Sequence, residues 1–331
     1  VWARPPSTIC YNAVMNIHDV KTKSGKDLSK IGIGSYGIGG RGHRDVELAD
    51  KQSDDVYIDA LAYTLEKGIN FTEISLGYGH GQSLALFKQA LDKSSVTRDD
   101  IFLTNSLYPR DLADLNVVKD DIESFYKVMD TDYADSTLVT QDFTIKFGKD
   151  VTFALLDELI ESGRTRFVSF SNASPTWIKV FKDKYGDKLY AHETHISFEV
   201  REVQDKGVFD LCNGLDIKNI IWRPLRQNRT FAHNWELLVE LASKYDKTQS
   251  QIVLNWICSL GYSPMVMSAN KEHIDENVAS TDFKMSDEDY ERMTDFRPPN
   301  YYPPKVDWEG YDGGNDLVML ANKFENNTRS S

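Results

Sequence analysis

Asn70-Phe71-Thr72-Glu73-Ile74-Ser75-Leu76-Gly77-Tyr78-Gly79-His80-Gly81 changes character halfway along. Lys67-Gly68 just before it reads as a helix stop. Residues 70–75 read as a buried strand. Gly77, Gly79 and Gly81 then crowd too many glycines together for a helix or strand interior. A strand therefore ends, and a tight loop presents a phenol (Tyr78) and an imidazole (His80) at its carboxyl end. In parallel α/β proteins that is where chemistry is placed. The plainer alternative is a glycine-rich turn with a packed tyrosine.

Strands and helices alternate on both sides of this stretch. Val20 to Ile31 reads as a hairpin turning at Ser24-Gly25. Ile31 to Ser35 is the first inner strand, and its glycines imply close backbone approach. Helical spacing follows over Val56–Glu66, Gln82–Asp92, Val117–Met129, Val151–Ser162, Pro175–Lys184, Val203–Asn213, Asn234–Lys244 and Gln249–Leu260. Strands fall between them, ending with Pro264–Met267, and helices over Lys271–Ala279 and Ser286–Asp295 close the series. Strict alternation implies a parallel sheet. Eight units within about 250 residues imply a closed (β/α)8 barrel of the TIM type rather than an open sheet. The expected division is an extension over 1–19, the barrel over 20–296 and a strap over 297–331. That strap is rich in proline and aromatic residues, and it is a candidate surface for a partner or a second copy.

The bulk properties fit one large α/β unit. Of 331 residues, 40% are hydrophobic, enough for a sizeable core. Net charge is -13 and the pI is about 5.0, which disfavours nucleic acid as a partner. No apolar run approaches the roughly 18 residues of a membrane span. Arg4-Pro5-Pro6 stands where a leader's apolar core would be, so the cytoplasm is the expected compartment. Cys10, Cys212 and Cys258 are odd in number and widely spaced, which suits buried thiols better than a disulfide framework. No metal-ligand spacing appears, and no metal is expected.

Several ordered motifs resemble the aldo-keto reductase family. They are Ile31-Gly32-Ile33-Gly34-Ser35-Tyr36-Gly37-Ile38-Gly39, Lys67-Gly68-Ile69-Asn70-Phe71, Tyr78-Gly79-His80-Gly81, the run from Gly163 to Asn172, Trp222-Arg223-Pro224-Leu225 and His273-Ile274-Asp275-Glu276-Asn277. The resemblance spans roughly Val20 to Phe296 and implies an eight-stranded (β/α) barrel.

It also implies a catalytic group of Asp, Tyr, Lys and His, of which Tyr78 alone matches. Glu73 stands at the Asp position, Asn105 at the expected Lys position and Thr140 at the His position. Reducing a carbonyl needs a proton donor near the forming alkoxide. A nearby ammonium makes tyrosine a better donor, and a His donor positions the oxygen. Asn105 offers no charge and Thr140 no imidazolium. Losing one such partner typically removes on the order of a hundredfold in rate. Ordinary aldehyde reduction is therefore expected to be weak, with His80 or Gln141 near enough to compensate. The four positions are expected to converge at the carboxyl end of the barrel.

The resemblance further implies a nicotinamide cofactor, NADP or NAD, and a small carbonyl or sugar-like substrate. Ser171, Asn172 and Glu193 match the carboxamide contacts and Trp222 the ring-stacking aromatic. Glu276 and Asn277 match the adenine contacts, and Arg223 and Leu225 the seventh-strand end. Met267 and His273 stand where the basic 2′-phosphate ligands belong, with Lys271 as a substitute, so that subsite is expected to be weak. His192 and His195 flank Glu193 and read as hydrogen-bonded core groups. Two further readings stay open: a barrel that has lost turnover and serves as a binding or regulatory subunit, and a lyase or isomerase using Tyr78 with Glu73 or His80.

Overall fold

The computed structural model describes residues 20–21, 25–40, 48, 51–107 and 114–299. The expected extension over 1–19 and most of the expected strap lie outside these residues, as does most of the loop after Gly40. The hairpin forms as expected. Strands β1 (Val20–Lys21) and β2 (Asp27–Leu28) pair antiparallel, Val20 with Leu28, and Gly25 takes a left-handed φ of 77°.

Eight parallel strands then close a barrel. They are β3 (Gly32–Gly34), β4 (Phe71–Ile74), β5 (Phe102–Leu107), β6 (Ala134–Thr140), β7 (Thr165–Ser171), β8 (Leu189–His195), β9 (Lys218–Trp222) and β10 (Ser263–Val266). Each pairs with the next in sequence, and β10 closes on β3. Sequential pairing through helical crossovers is the arrangement that strictly alternating units favour.

The inner surface is layered. At the amino end Phe71, Phe102, Tyr190, Ile220 and Met265 form a closed plug with Leu28 of the hairpin, and the Phe102 and Tyr190 rings stack at 4.7 Å. Gly32 is required here, since a Cβ would stand 2.3 Å from the Met265 sulfur. Above the plug Ser136 and Ser169 bond across β6 and β7 at 2.8 Å. Asp135, at the amino end of β6, is buried among cations. Lys26 Nζ lies 3.3 Å away, Arg98 Nη1 2.9 Å and Arg166 Nη1 3.3 Å, and the Leu103 backbone N–H also donates to it.

Twelve α-helical segments among the described residues surround the barrel, from α1 (Asp54–Glu66) to α12 (Asp287–Asp295). Their ends follow local rules. Ser174 caps α6 (Pro175–Tyr185), with Pro at its first turn, and Thr248 with Gln251 makes a capping box on α10 (Gln249–Ser259). The helix expected over residues 203–213 is two. Segments α7 (Glu202–Asp205) and α8 (Val208–Gly214) are split by Gly207 at φ 70°, a left-handed conformation that ends a helix. A short helix absent from the expected series, α4 (Gln141–Phe147), begins directly off β6.

Candidate active site

The expected residues lie at or just beyond the carboxyl ends of the barrel strands, and they do not all face inward. Along β4, Phe71 belongs to the inner plug, so period-two alternation turns Glu73 inward as well. The Ser106 hydroxyl of β5 bonds the Glu73 carboxyl. Ser106 is thus the inward residue on β5, and Asn105 is not. Asn105 pairs in register with Ile74 and Thr137, and Ile74 belongs to the core packed between barrel and helices. The Asn105 amide nitrogen is buried there with no hydrogen-bond partner. The expected position was therefore one residue out on β5, and a one-residue slip puts a side chain on the opposite face of the sheet. The signal was available in the alternation from Phe102 through Thr104 to Ser106.

Thr140 does reach the carboxyl end of β6. Its hydroxyl caps α4, accepting from the Phe143 N–H at 3.1 Å. Gln141 is buried, and its Oε1 accepts from the Ser174 N–H at 2.8 Å, so it holds a loop. Tyr78 follows β4 in extended backbone, half-buried, with Tyr36 edge-on at 5.5 Å. His80 is exposed, at φ 53°.

Ser171 pairs with Thr140 on one side and Glu193 on the other, so the three share the inner face. The Asn172 backbone N–H donates to Glu193 O at 2.9 Å. Its side-chain Oδ1 accepts from the Trp222 indole N–H at 3.0 Å, and the Trp222 ring stacks on His195 at 4.5 Å. His192, one residue before Glu193, faces outward and accepts from the Ala173 N–H at 3.1 Å. Burial lowers its pKa to about 3. His195 is held well below its ordinary value by burial, then by the charges of Arg223 and Arg226. Both rings are neutral at physiological pH.

The acids move the other way. Glu73 is 6% exposed and Glu193 7%. Burial raises Glu73 from 4.5 to about 7, partly offset by the Ser106 bond. Burial raises Glu193 well above the carboxylate range, and the charge of Glu73 raises it further. Strands β4 and β8 stand opposite each other in the eight-strand order, so the two side chains reach toward one another across the barrel. Glu193 Oε2 has no hydrogen-bond partner. The sequence alone suggested Glu193 as a ligand acceptor and did not reveal the pair, because the two residues lie far apart along the chain.

The other expected ligand positions run along the rim. Arg223 is half-buried at φ 51°, and Leu225 packs on the core. Met267 is half-buried and His273 exposed. Lys271 lies exposed on the first turn of α11 (Lys271–Ala279), its ammonium 5.1 Å from the Tyr63 ring centre. Asn277 is buried, and Glu276 Oε2 lies 3.5 Å from the Thr248 hydroxyl. Among the described residues no cluster of three or more His, Cys, Asp or Glu could hold a metal ion, and no helix is long and apolar enough to cross a membrane.

Residues 30–297 match the model of the aldo/keto reductase family. The chain is 24% identical to a glyoxal reductase of Bacillus subtilis over 277 residues, 83% of this chain and 91% of that protein. It is 23% identical to a 9,11-endoperoxide prostaglandin H2 reductase of Trypanosoma cruzi, over 74% of this chain and 87% of that one. Among solved structures, the thermostable aldo-keto reductase Tm1743 superposes with a TM-score of 0.73 at 21% identity, covering 82% of this chain and 97% of that one. An aldo/keto reductase from Klebsiella pneumoniae in complex with NADP and acetate gives 0.70 at 17% identity, covering 88% and 99%. With the family model spanning most of its length and the barrel closed as these relatives' is, the chain belongs to the aldo/keto reductase family.

Proposed function

We propose that the chain is a nicotinamide-dependent oxidoreductase acting at the carbonyl-derived carbon of a small substrate, with an acid–base group of its own built from Tyr78 and Glu73. The carrying observation is Glu73 itself. It is a buried carboxyl with a pKa of about 7, five residues before Tyr78, bonded to a serine where no lysine stands. A carboxyl held near neutrality is suited to proton transfer at working pH.

The inner face fits the nicotinamide end of the cofactor. A carboxamide offers an NH2 donor and a carbonyl acceptor. A carboxylate has room for several donors, so Glu193 can take the former through one lone pair and keep its charge open to the substrate side, and the Ser171 hydroxyl can serve the latter. A neighbour of the same fold solved with NADP supports a nicotinamide cofactor in general. When bound, the cofactor supplies or accepts the hydride; the chain orients the substrate and handles the proton. At the far end Met267 brings no charge and Lys271 is the nearest cation on α11, so preference for NADP over NAD is expected to be weak.

Proton donation toward a forming alkoxide needs Glu73 protonated. Reduction of a free carbonyl is therefore expected to fall as pH rises through about 7. Two measurements test the reading. Tryptophan fluorescence should be quenched by NADPH or NADH, since Trp222 lines the site; no quenching at millimolar cofactor would sink it. The pH profile of kcat/KM should inflect near 7 and lose that inflection in Glu73→Gln. A second reading, a barrel without turnover that binds a ligand or partner, is favoured by the uncharged Ser106 and Thr140. Robust cofactor-dependent turnover would exclude it.

A further inference from the structure

We infer that this site takes a positively charged carbon–nitrogen substrate, a protonated imine or the amine derived from it, held between Glu73 and Glu193. The inference rests on the oxidoreductase reading for its redox step but not for its binding step.

Both carboxyls come from opposite walls of the barrel and lie on the inner face. Around them stand hydroxyls, Ser106, Thr140 and Ser171, and the neutral His195. Among the described residues the charged and titratable groups on the flanking segments are Tyr78, on the loop after β4, and Arg223 and Arg226, which act on His195. Among the described residues no lysine or arginine acts on either carboxyl, and Glu193 keeps a buried oxygen without a hydrogen bond. At the amino end of the same barrel, by contrast, the buried acid Asp135 is met by three cations. Among the described residues, then, neither carboxyl has a positive partner, and a ligand can bring one.

Charge also selects among substrates. Reducing a carbonyl builds negative charge on oxygen, which two carboxyls oppose. A protonated imine arrives positive. Its carbon accepts a hydride with both electrons from the reduced nicotinamide. The carbon–nitrogen π pair becomes the nitrogen lone pair, leaving a neutral amine and the oxidised nicotinamide. No proton moves in that step; the amine then takes one from solvent or from the carboxyl pair. A cation between the acids favours their ionised forms, so binding strengthens as Glu73 ionises. The pH dependence is then opposite to that for a free carbonyl.

The test uses the full chain and begins without cofactor. Pyrrolidine, a cyclic amine protonated throughout the range, is titrated by calorimetry against cyclopentanol, its neutral counterpart in shape. Affinity for pyrrolidine should rise about tenfold between pH 6 and 8, following ionisation at about 7. It should fall at least about tenfold in Glu73→Gln and in Glu193→Gln, with near-UV circular dichroism confirming that each variant is folded. With NADPH present, 1-pyrroline should turn over with kcat/KM about a hundredfold above cyclopentanone. Equal binding of pyrrolidine and cyclopentanol, or binding untouched in both variants, overturns the inference. Pyrrolidine binding without cofactor quenching upholds the cation site and sinks the redox reading. Cofactor quenching without pyrrolidine binding does the reverse.

Discussion

Glu199, on the loop after β8, and Glu193, near the end of β8, are both buried carboxylic acids, and their surroundings are opposites. Glu199 is 0% exposed and is met by Arg226 and the Thr230 hydroxyl on one oxygen. His233 Nδ1 and the Trp235 indole N–H reach the other, each at 2.5 Å. Its four partners lie within ten residues of each other in the segment after β9, so Glu199 pins that segment to the barrel rim. Glu193 has a carboxyl across the barrel and an oxygen with no partner. One acid is a finished structural joint. The other keeps a buried oxygen without a hydrogen bond at the carboxyl end of the barrel, where this fold places ligands, and that is the ground for proposing it as a ligand group.

The strongest way to break the contrast is to remove the finished joint. Glu199→Leu removes the buried carboxylate that Arg226, Thr230, His233 and Trp235 share, and losing one member of a buried ion pair typically destabilises by about 3–5 kcal/mol. Urea unfolding of the variant should show a loss of that size. A loss under about 1 kcal/mol would place Glu199 in the same class as Glu193.

Glu73 should behave with the opposite sign. Its pKa is raised on folding, so the native state holds a proton that the unfolded chain releases above about 4.5. Stability is therefore lost as pH rises from about 4.5 to about 7, and the loss is complete above that. Glu73→Gln removes this penalty. The variant should match the parent near pH 4 and exceed it at pH 8, by roughly 3 kcal/mol at most. Urea midpoints at the two pH values measure it. A variant less stable than the parent at pH 8 would mean that Glu73 is a satisfied structural acid like Glu199.

A neutral pair sets the scale beneath both. Ser136→Ala removes the buried hydroxyl bond to Ser169 at 2.8 Å, one layer below the acids. The expected loss is about 1 kcal/mol, without dependence on pH between 5 and 8. A clear slope with pH in that variant would show that the acid pair is coupled to the barrel interior beneath it.

Much of the architecture was legible in the sequence. The glycines after residue 76, the hairpin turn at Gly25 and the helical spacing of apolar residues are local signals, and each acts within a few residues. Alternating local units have few ways to pack, so the barrel followed from them. Gly207 was equally local, and a left-handed glycine splitting a helix could have been read from it. The site was harder. Tyr78, Glu73, Ser171 and Asn172 were visible as strand-end residues, but Asn105 stood for Ser106 because strand facing depends on register, and one residue reverses it.

The sequence by itself determined the order of elements, the closed barrel and which strand ends carry polar residues, since these follow from periodicity and turn chemistry. Only the tertiary structure decided that Ser106 faces Glu73, that Trp222 bonds Asn172 while stacking on His195, and that Glu73 and Glu193 stand on opposite walls of the barrel where the charge of one acts on the other. Closure brings residues 120 positions apart into one buried layer, and desolvation there turns two ordinary glutamates into weak acids.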